Sequence, residues 1–90
     1  PPLPSPMTRN ESLARLLHEM AHLLELLGEN SFKASAHARA ARAVESLTDD
    51  VATIQPADLR NIDGIGEKIA GKIIEFCQTG TIAEHAELAS

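Results

Sequence analysis

The sequence predicts an all-α domain, a small four-helix unit that contains a helix-hairpin-helix turn. Three observations carry that expectation. Apolar residues recur at spacings of three and four in the first third of the chain and again near its end, which is the helical period. The 43 % hydrophobic content is mostly Leu, Ala and Ile, with two Phe and neither Tyr nor Trp. That mix packs helices through aliphatic side chains and argues against a β-sandwich. No segment alternates with period two for long enough to be a strand.

The elements follow in order. "PPLPSP" opens the chain with four prolines in six residues, an extended lead that cannot join a helix. Residues 1–7 are set apart from the fold, with Met7 a candidate natural start, and the domain is placed at 8–90. "TRNE" has the spacing of a capping box with Thr8 as N-cap. Leu13, Leu16, Leu17, Met20, Leu24 and Leu27 then form one stripe, and Gly28 supplies a left-handed stop, so the first helix spans residues 9–27. Asn30 or Ser31 caps a second, Ala-rich helix with Phe32, Ala36, Ala40, Val44 and Leu47 on one stripe. Its alanines imply close helix–helix approach. Asp49 and Asp50 cap a short turn through Val51 and Ile54. Pro56 suits the first position of a short helix. After "IDGIG" comes a helix over 66–78 with Ile69, Ile73 and Phe76 inward, ended by Thr79-Gly80. "TIAEHAEL" begins the last helix.

Bulk composition narrows the function classes. Ninety residues make one domain whose core is only marginally self-sufficient. Cys77 is the sole cysteine, which excludes a disulfide framework and a Cys-based metal site and fits a reducing, intracellular compartment. No apolar run reaches membrane-span length and no signal-peptide pattern is present, so the expectation is a cytoplasmic protein. Thirteen acids against eight Lys and Arg give a net charge of −5, which excludes a generic nucleic-acid coat. A small anionic footprint is still possible where cations cluster, and Lys33, Arg39, Arg42, Arg60, Lys68 and Lys72 all lie in the middle and later parts.

"LRN-IDGIG-EKIAGKIIEF" is a short helix, an apolar-Gly-apolar-Gly turn and a second helix. Gly64 and Gly66 permit positive φ and a close backbone approach that a Cβ would block. Ile62 and Ile65 pin the turn to the core. The free N–H groups opening the second helix, helped by the helix dipole, form an anion site. Such a turn holds a DNA phosphate without reading bases. Taken alone, the Gly-x-Gly favours a tight turn that packs one helix on another; the longer match, ending in "AxxI" and carrying lysines on the helix, reverses that. Lys68 and Lys72 are four apart and stack on one helix face, as do Lys33 and His37. Helical lysines usually form a solvated face. A nucleophilic amine must first lose its proton, which burial and a neighbouring cation such as Lys68 favour. Glu75, three residues beyond Lys72, opposes this if it faces the same side.

"LLGENSFKASAHARAARAVESL" and "NIDGIGEKIAGKIIEFCQTGTI" together resemble the amino-terminal, lyase-type domain of family X DNA polymerases, the bacterial members more than their vertebrate relative polymerase beta. The likeness covers roughly residues 10–88. It implies a helix-hairpin-helix domain that holds the 5′-phosphate side of gapped or nicked DNA in base-excision or gap-filling repair. It also implies 5′-deoxyribose phosphate lyase chemistry through a lysine Schiff base. The nucleophile position is Lys72, and Lys33 and Lys68 match the phosphate ligands, with Arg39, Arg60 and the Gly64–Gly66 turn on the DNA side. Backbone carbonyls of Arg60, Ile62 and Ile65 match those that hold a monovalent Na+ or K+ at the hairpin. The lyase chemistry needs no other cofactor. A divalent metal belongs to a polymerase domain bearing three carboxylates, which these residues do not contain but to which the likeness implies linkage. A monomer associated with the bacterial nucleoid is the implied setting.

The chain departs from the family at one place. His37 and Ala38 stand where the family usually has Tyr followed by Arg. Imidazole can donate a hydrogen bond to phosphate or shuttle a proton near neutral pH, or His37 is simply a surface residue. Either way the lyase expectation weakens more than the DNA-binding one. A non-catalytic DNA clamp and a protein-interaction module are the alternatives. His18 and His22 have a chelating spacing but no third ligand, and Cys77 reads as a small packing residue.

Overall fold

Thr8 opens the first helix through a reciprocal pair of hydrogen bonds: its Oγ1 accepts from Glu11 N at 3.1 Å, and Glu11 Oε1 accepts from Thr8 N at 3.1 Å. The computed structural model describes residues 7–28 and 31–90. In it α1 spans Arg9–Leu27 and stops at Gly28, whose φ of 69° is left-handed. The helix α2 spans Ser31–Glu45, a one-turn 3-10 helix follows at Val51–Thr53, and α3 is the single turn Pro56–Leu59. Helices α4, Glu67–Thr79, and α5, Ala83–Ala89, complete the chain. Among the described residues there is no strand, and the expected four helices are joined by the single turn α3. The expected cap Asn30 lies outside the described residues, and Ser31 is the first residue of α2.

The α1–α2 pair makes the most extensive helix contact. It is antiparallel, because the start of α1 is tied to the segment after α2. Arg9 donates to both carboxylate oxygens of Asp50 at 2.9 Å, Asn10 donates to the Asp49 carbonyl at 2.8 Å, and Asn10 Oδ1 accepts from Val51 N at 2.8 Å. Leu13, Leu17, Met20 and Leu24 of α1 are buried against Ala34, Ala40, Ala41 and Val44 of α2. The alanines do bring the helices close.

The stripe expected on α2 holds at Ala40, Val44 and Leu47 but not at its Phe32 end. The buried positions of the helix are Ala34, His37, Ala40, Ala41 and Val44, with Ala34 and His37 in place of Phe32. Phe32 is 87 % exposed, a correction to its place in the predicted core. Leu27 is likewise 53 % exposed, so the core stripe of α1 ends at Leu24. In a helix so rich in alanine, hydrophobic contrast between faces is small, and packing rather than the one aromatic sets the register.

Helix α4 inserts Ile69, Ala70, Ile73 and Phe76 into the same core, each of the large side chains contributing on the order of 1.5–3 kcal/mol on burial. Helix α5 buries none of its own residues. It is anchored by the fully buried Ile82 just before it, by Glu75 Oε2 accepting from Ala83 N at 2.8 Å, and by His85 Nε2 against Glu19 Oε2 at 2.8 Å. Glu75 therefore caps α5. Cys77 is half-buried against the core, and burial pushes its thiol pKa up, in keeping with a packing residue.

Candidate functional site

Between α3 and α4 the hairpin turn is built from its own backbone. Ile62 N donates to Leu59 O at 3.2 Å, Ile65 N to Ile62 O at 3.0 Å, and Ala70 N to Gly66 O at 2.8 Å. Ile65 is buried and Ile62 packs against the core, as their role in pinning the turn requires. The two glycines differ. Gly64 has φ +94°, and a Cβ there would sit 3.3 Å from the Arg39 carbonyl oxygen and 3.4 Å from Ala43 Cβ. Gly66 has φ −86° and caps α4 without a side-chain hydrogen bond. A Cβ on it would meet nothing within 4 Å. Only Gly64 needs positive φ, so the expectation for Gly66 is corrected. Gly64 lets the turn press onto α2, and Gly66 is the N-cap of α4, whose first N–H groups have no intrahelical partner.

Two adjoining clefts carry the expected cations. The hairpin cleft, about 820 Å³, is lined by Arg39, Arg60, residues of the turn, and Lys68. The second, about 750 Å³, is lined by Phe32, Lys33, His37, Lys68, Lys72 and Glu84 among others. Lys68, Ala36 and Ile69 line both. The fold thus brings together Lys33, Arg39, Arg60, Lys68 and Lys72, whereas Arg42 lines neither cleft.

His37 is 1 % exposed, which corrects the surface reading. Its Nδ1 lies 2.7 Å from the Lys33 carbonyl oxygen. A carbonyl only accepts, so Nδ1 carries the proton and Nε2 keeps a lone pair. That lone pair faces Lys72 Nζ at 2.8 Å. Both ring nitrogens are thus engaged, and His37 still lines the cleft beside Lys72.

Sequence reasoning missed Glu84. Its Oε2 accepts from Lys72 Nζ at 3.2 Å and pairs with Lys33 Nζ at 3.1 Å. Burial works to raise the Glu84 pKa, yet hydrogen bonds and charge from Lys33 and Lys72 hold it below the usual carboxylate range. The acids therefore do not all lie on helices remote from the cations. In sequence Glu84 looks like an ordinary acid in the first turn of a helix, and nothing local signals its reach back across twelve residues to Lys72.

Burial lowers the His37 pKa first of all, and the Lys72 charge lowers it further, against raising contributions from the Lys33 carbonyl and Glu84. Between the lowered folded value and the ordinary value of 6.5 the unfolded chain binds more protons, so stability rises with pH. His37 thus contributes stability that is complete above the unfolded value and falls as pH drops below it. Urea denaturation at pH 7.5 and 5.5 checks this: the stability difference between the native chain and His37→Gln is expected to shrink at the lower pH. A difference independent of pH would refute it.

Two helices joined by a glycine hairpin whose turn is pinned to the core define a helix-hairpin-helix module. The chain belongs to the helix-hairpin-helix domain family, whose model matches residues 8–82. It is also similar to "DNA polymerase/3′-5′ exonuclease PolX" of Bacillus subtilis (strain 168), 36 % identical over 70 residues. That match takes in 78 % of this chain but only 12 % of the relative's length. No described helix is long and apolar enough to cross a membrane, and no metal-holding group of three His, Cys, Asp or Glu occurs among the described residues.

Proposed function

We propose that this domain binds gapped or nicked DNA on its 5′-phosphate side and removes 5′-deoxyribose phosphate through Lys72. The observation that carries the reading is the placement of Lys72 Nζ, 2.8 Å from the His37 Nε2 lone pair and at the edge of a cleft shared with Lys33 and Lys68. Lys68 and Lys33 hold the terminal phosphate, and the α4 N-terminus with Arg39 and Arg60 holds the adjoining backbone. Carbonyls of Arg60, Ile62 and Ile65 at the turn would take a Na+ or K+ that bridges to a phosphate.

A lysine attacks an aldehyde only as the free amine. His37 Nε2 is placed to accept a proton from Nζ, although burial weakens it as a base. The Nζ lone pair then forms a bond to C1′ of the ring-opened sugar. The carbinolamine hydroxyl takes the proton back from His37 and leaves as water, and a protonated Schiff base results with the Nε2 lone pair restored. Loss of a C2′ proton and cleavage of the C3′–O bond release the DNA strand. Hydrolysis of the remaining Schiff base returns the lysine. Likeness to a polymerase further supports a place for this module beside a polymerase domain in repair.

Borohydride reduction in the presence of gapped DNA bearing a 5′-deoxyribose phosphate tests the chemistry. A covalent adduct is expected with the native chain and its complete loss with Lys72→Ala, while DNA binding persists. Binding with no adduct in either chain points to the second reading, a clamp without catalysis. That reading is favoured by the hairpin cleft, whose cations do not include Lys72.

A further inference from the structure

Lys72 Nζ is held from two sides, and the reaction proposed above leaves room for only one of those contacts. An ammonium has three N–H bonds to donate, and the free enzyme directs them toward His37 Nε2 at 2.8 Å and Glu84 Oε2 at 3.2 Å. A Schiff base of the same nitrogen, protonated as the iminium, keeps one N–H. One partner must therefore be released when the covalent bond forms.

The surroundings decide which. His37 is 1 % exposed and its free lone pair has a single place to point. It lines the same cleft as Glu84 but is almost wholly covered, so the ring has no room to turn from Nζ. The Glu84 side chain is 29 % exposed and lines the open cleft through which an aldehyde must arrive. The remaining N–H stays on the buried imidazole and the carboxylate is the partner released, in the same cleft and 3.2 Å from the nitrogen that carries C1′. A further feature couples this step to substrate binding. Lys33 shares the same Glu84 oxygen at 3.1 Å, so a phosphate that engages Lys33 loosens its hold on Glu84. With a cation partly withdrawn, a carboxylate becomes more basic.

We infer that Glu84 is the base that takes the C2′ proton in β-elimination, with His37 as the positioning residue for the Schiff-base nitrogen. This rests on the lyase reading of Lys72. The C2′–H bond breaks and its proton passes to a Glu84 oxygen. The electron pair left on carbon forms the C1′=C2′ bond and neutralises the iminium as an enamine. The enamine nitrogen then pushes its pair back, a C2′=C3′ bond forms, and the C3′–O bond breaks. The DNA strand departs with the oxygen as a terminal phosphate. Water finally hydrolyses the conjugated Schiff base, frees Lys72 and yields an unsaturated sugar aldehyde. No oxidant or metal is required.

Adduct formation and strand release are separable readouts on the same DNA carrying a 5′-deoxyribose phosphate. For Glu84→Gln we expect a borohydride-trapped adduct close to the native yield, with single-turnover release of the sugar slowed by about 10²–10³-fold, the usual span of a general base. Glu84→Asp, which keeps the carboxylate one methylene shorter, should recover part of the rate. Circular dichroism on each variant reports that the helices are intact. His37→Gln should instead lower adduct formation and release together. Native-rate release by Glu84→Gln overturns the assignment. So does a parallel loss of adduct and release, which would make Glu84 a mere holder of Lys72. Tighter DNA binding with unchanged release would likewise overturn it, leaving Glu84 as a competitor of the phosphate. Absence of an adduct in the native chain sinks the lyase reading itself and this inference with it, and is distinguished because it appears before any elimination is measured.

Discussion

Gly64→Val lowers the unfolding free energy of this domain by an expected ~3 kcal/mol, a large share of the ~5–15 kcal/mol that holds a small domain folded. Two costs combine. At φ +94° an L-residue with a branched Cβ is a backbone outlier, costing on the order of 1–3 kcal/mol. The Cβ would also stand 3.3 Å from the Arg39 carbonyl and 3.4 Å from Ala43 Cβ. Neither belongs to a flexible side-chain end, so the hairpin must lift from α2, and overpacking of this kind costs about 1–3 kcal/mol. Gly66→Ala is the contrasting variant. Its φ is ordinary for any residue and its Cβ meets nothing, so stability should change by no more than about 0.5 kcal/mol. Its effect should appear in DNA affinity, because the added methyl sits on a residue that lines the hairpin cleft. Urea denaturation and DNA titration of both variants check the pair. Equal destabilisation by the two would show that the glycines do one job, and a native-like Gly64→Val would remove the close-approach argument altogether.

That division of labour was not legible in the sequence, where the two glycines look alike. Local signals were read well because local atoms make them. Thr8 and Glu11 cap α1 across three residues, Gly28 and Gly80 stop helices by their own φ, and Asp50 caps the turn at Val51. The N-terminal part of the α2 stripe failed because its register there is a tertiary property. Ala34 and His37 face the core while Phe32 faces solvent, and His37 can be buried only because the Lys33 carbonyl and Lys72 Nζ satisfy its ring nitrogens. The hairpin, Lys72, Lys68 and Lys33 could be placed together from the motif and the family resemblance. Glu84 could not, since its role as a bridge exists only where α2, α4 and α5 meet. A polar residue buried at the start of a reacting-group contact is the kind of feature that propensity does not encode.

The double substitution Lys33→Ala with Lys68→Ala is expected to weaken binding to 5′-phosphorylated gapped DNA by about 10²–10⁴-fold. Each lysine removed is a charge-assisted contact worth roughly 1.5–3 kcal/mol, and the two line one cleft, with Lys68 serving the hairpin cleft as well. A further penalty comes from Glu84. With Lys33 gone, its carboxylate loses a cation held at 3.1 Å and presents more unbalanced charge to an incoming phosphate. The salt dependence separates this local account from a global one. If three or four phosphates are neutralised, log K of the native chain should fall with log salt at a slope near −3, and the double variant at a slope near −1. The net charge of −5 acts differently, because repulsion from exposed acids more than about 10 Å away is screened at 0.1 M salt. Long-range repulsion therefore fades as salt rises, while the loss of counterion release grows. Binding that weakens steadily with salt in the native chain means that the clustered lysines outweigh the excess of acids. A flat response in both chains would mean that no phosphate is neutralised at the hairpin and that the clefts hold something other than a DNA backbone.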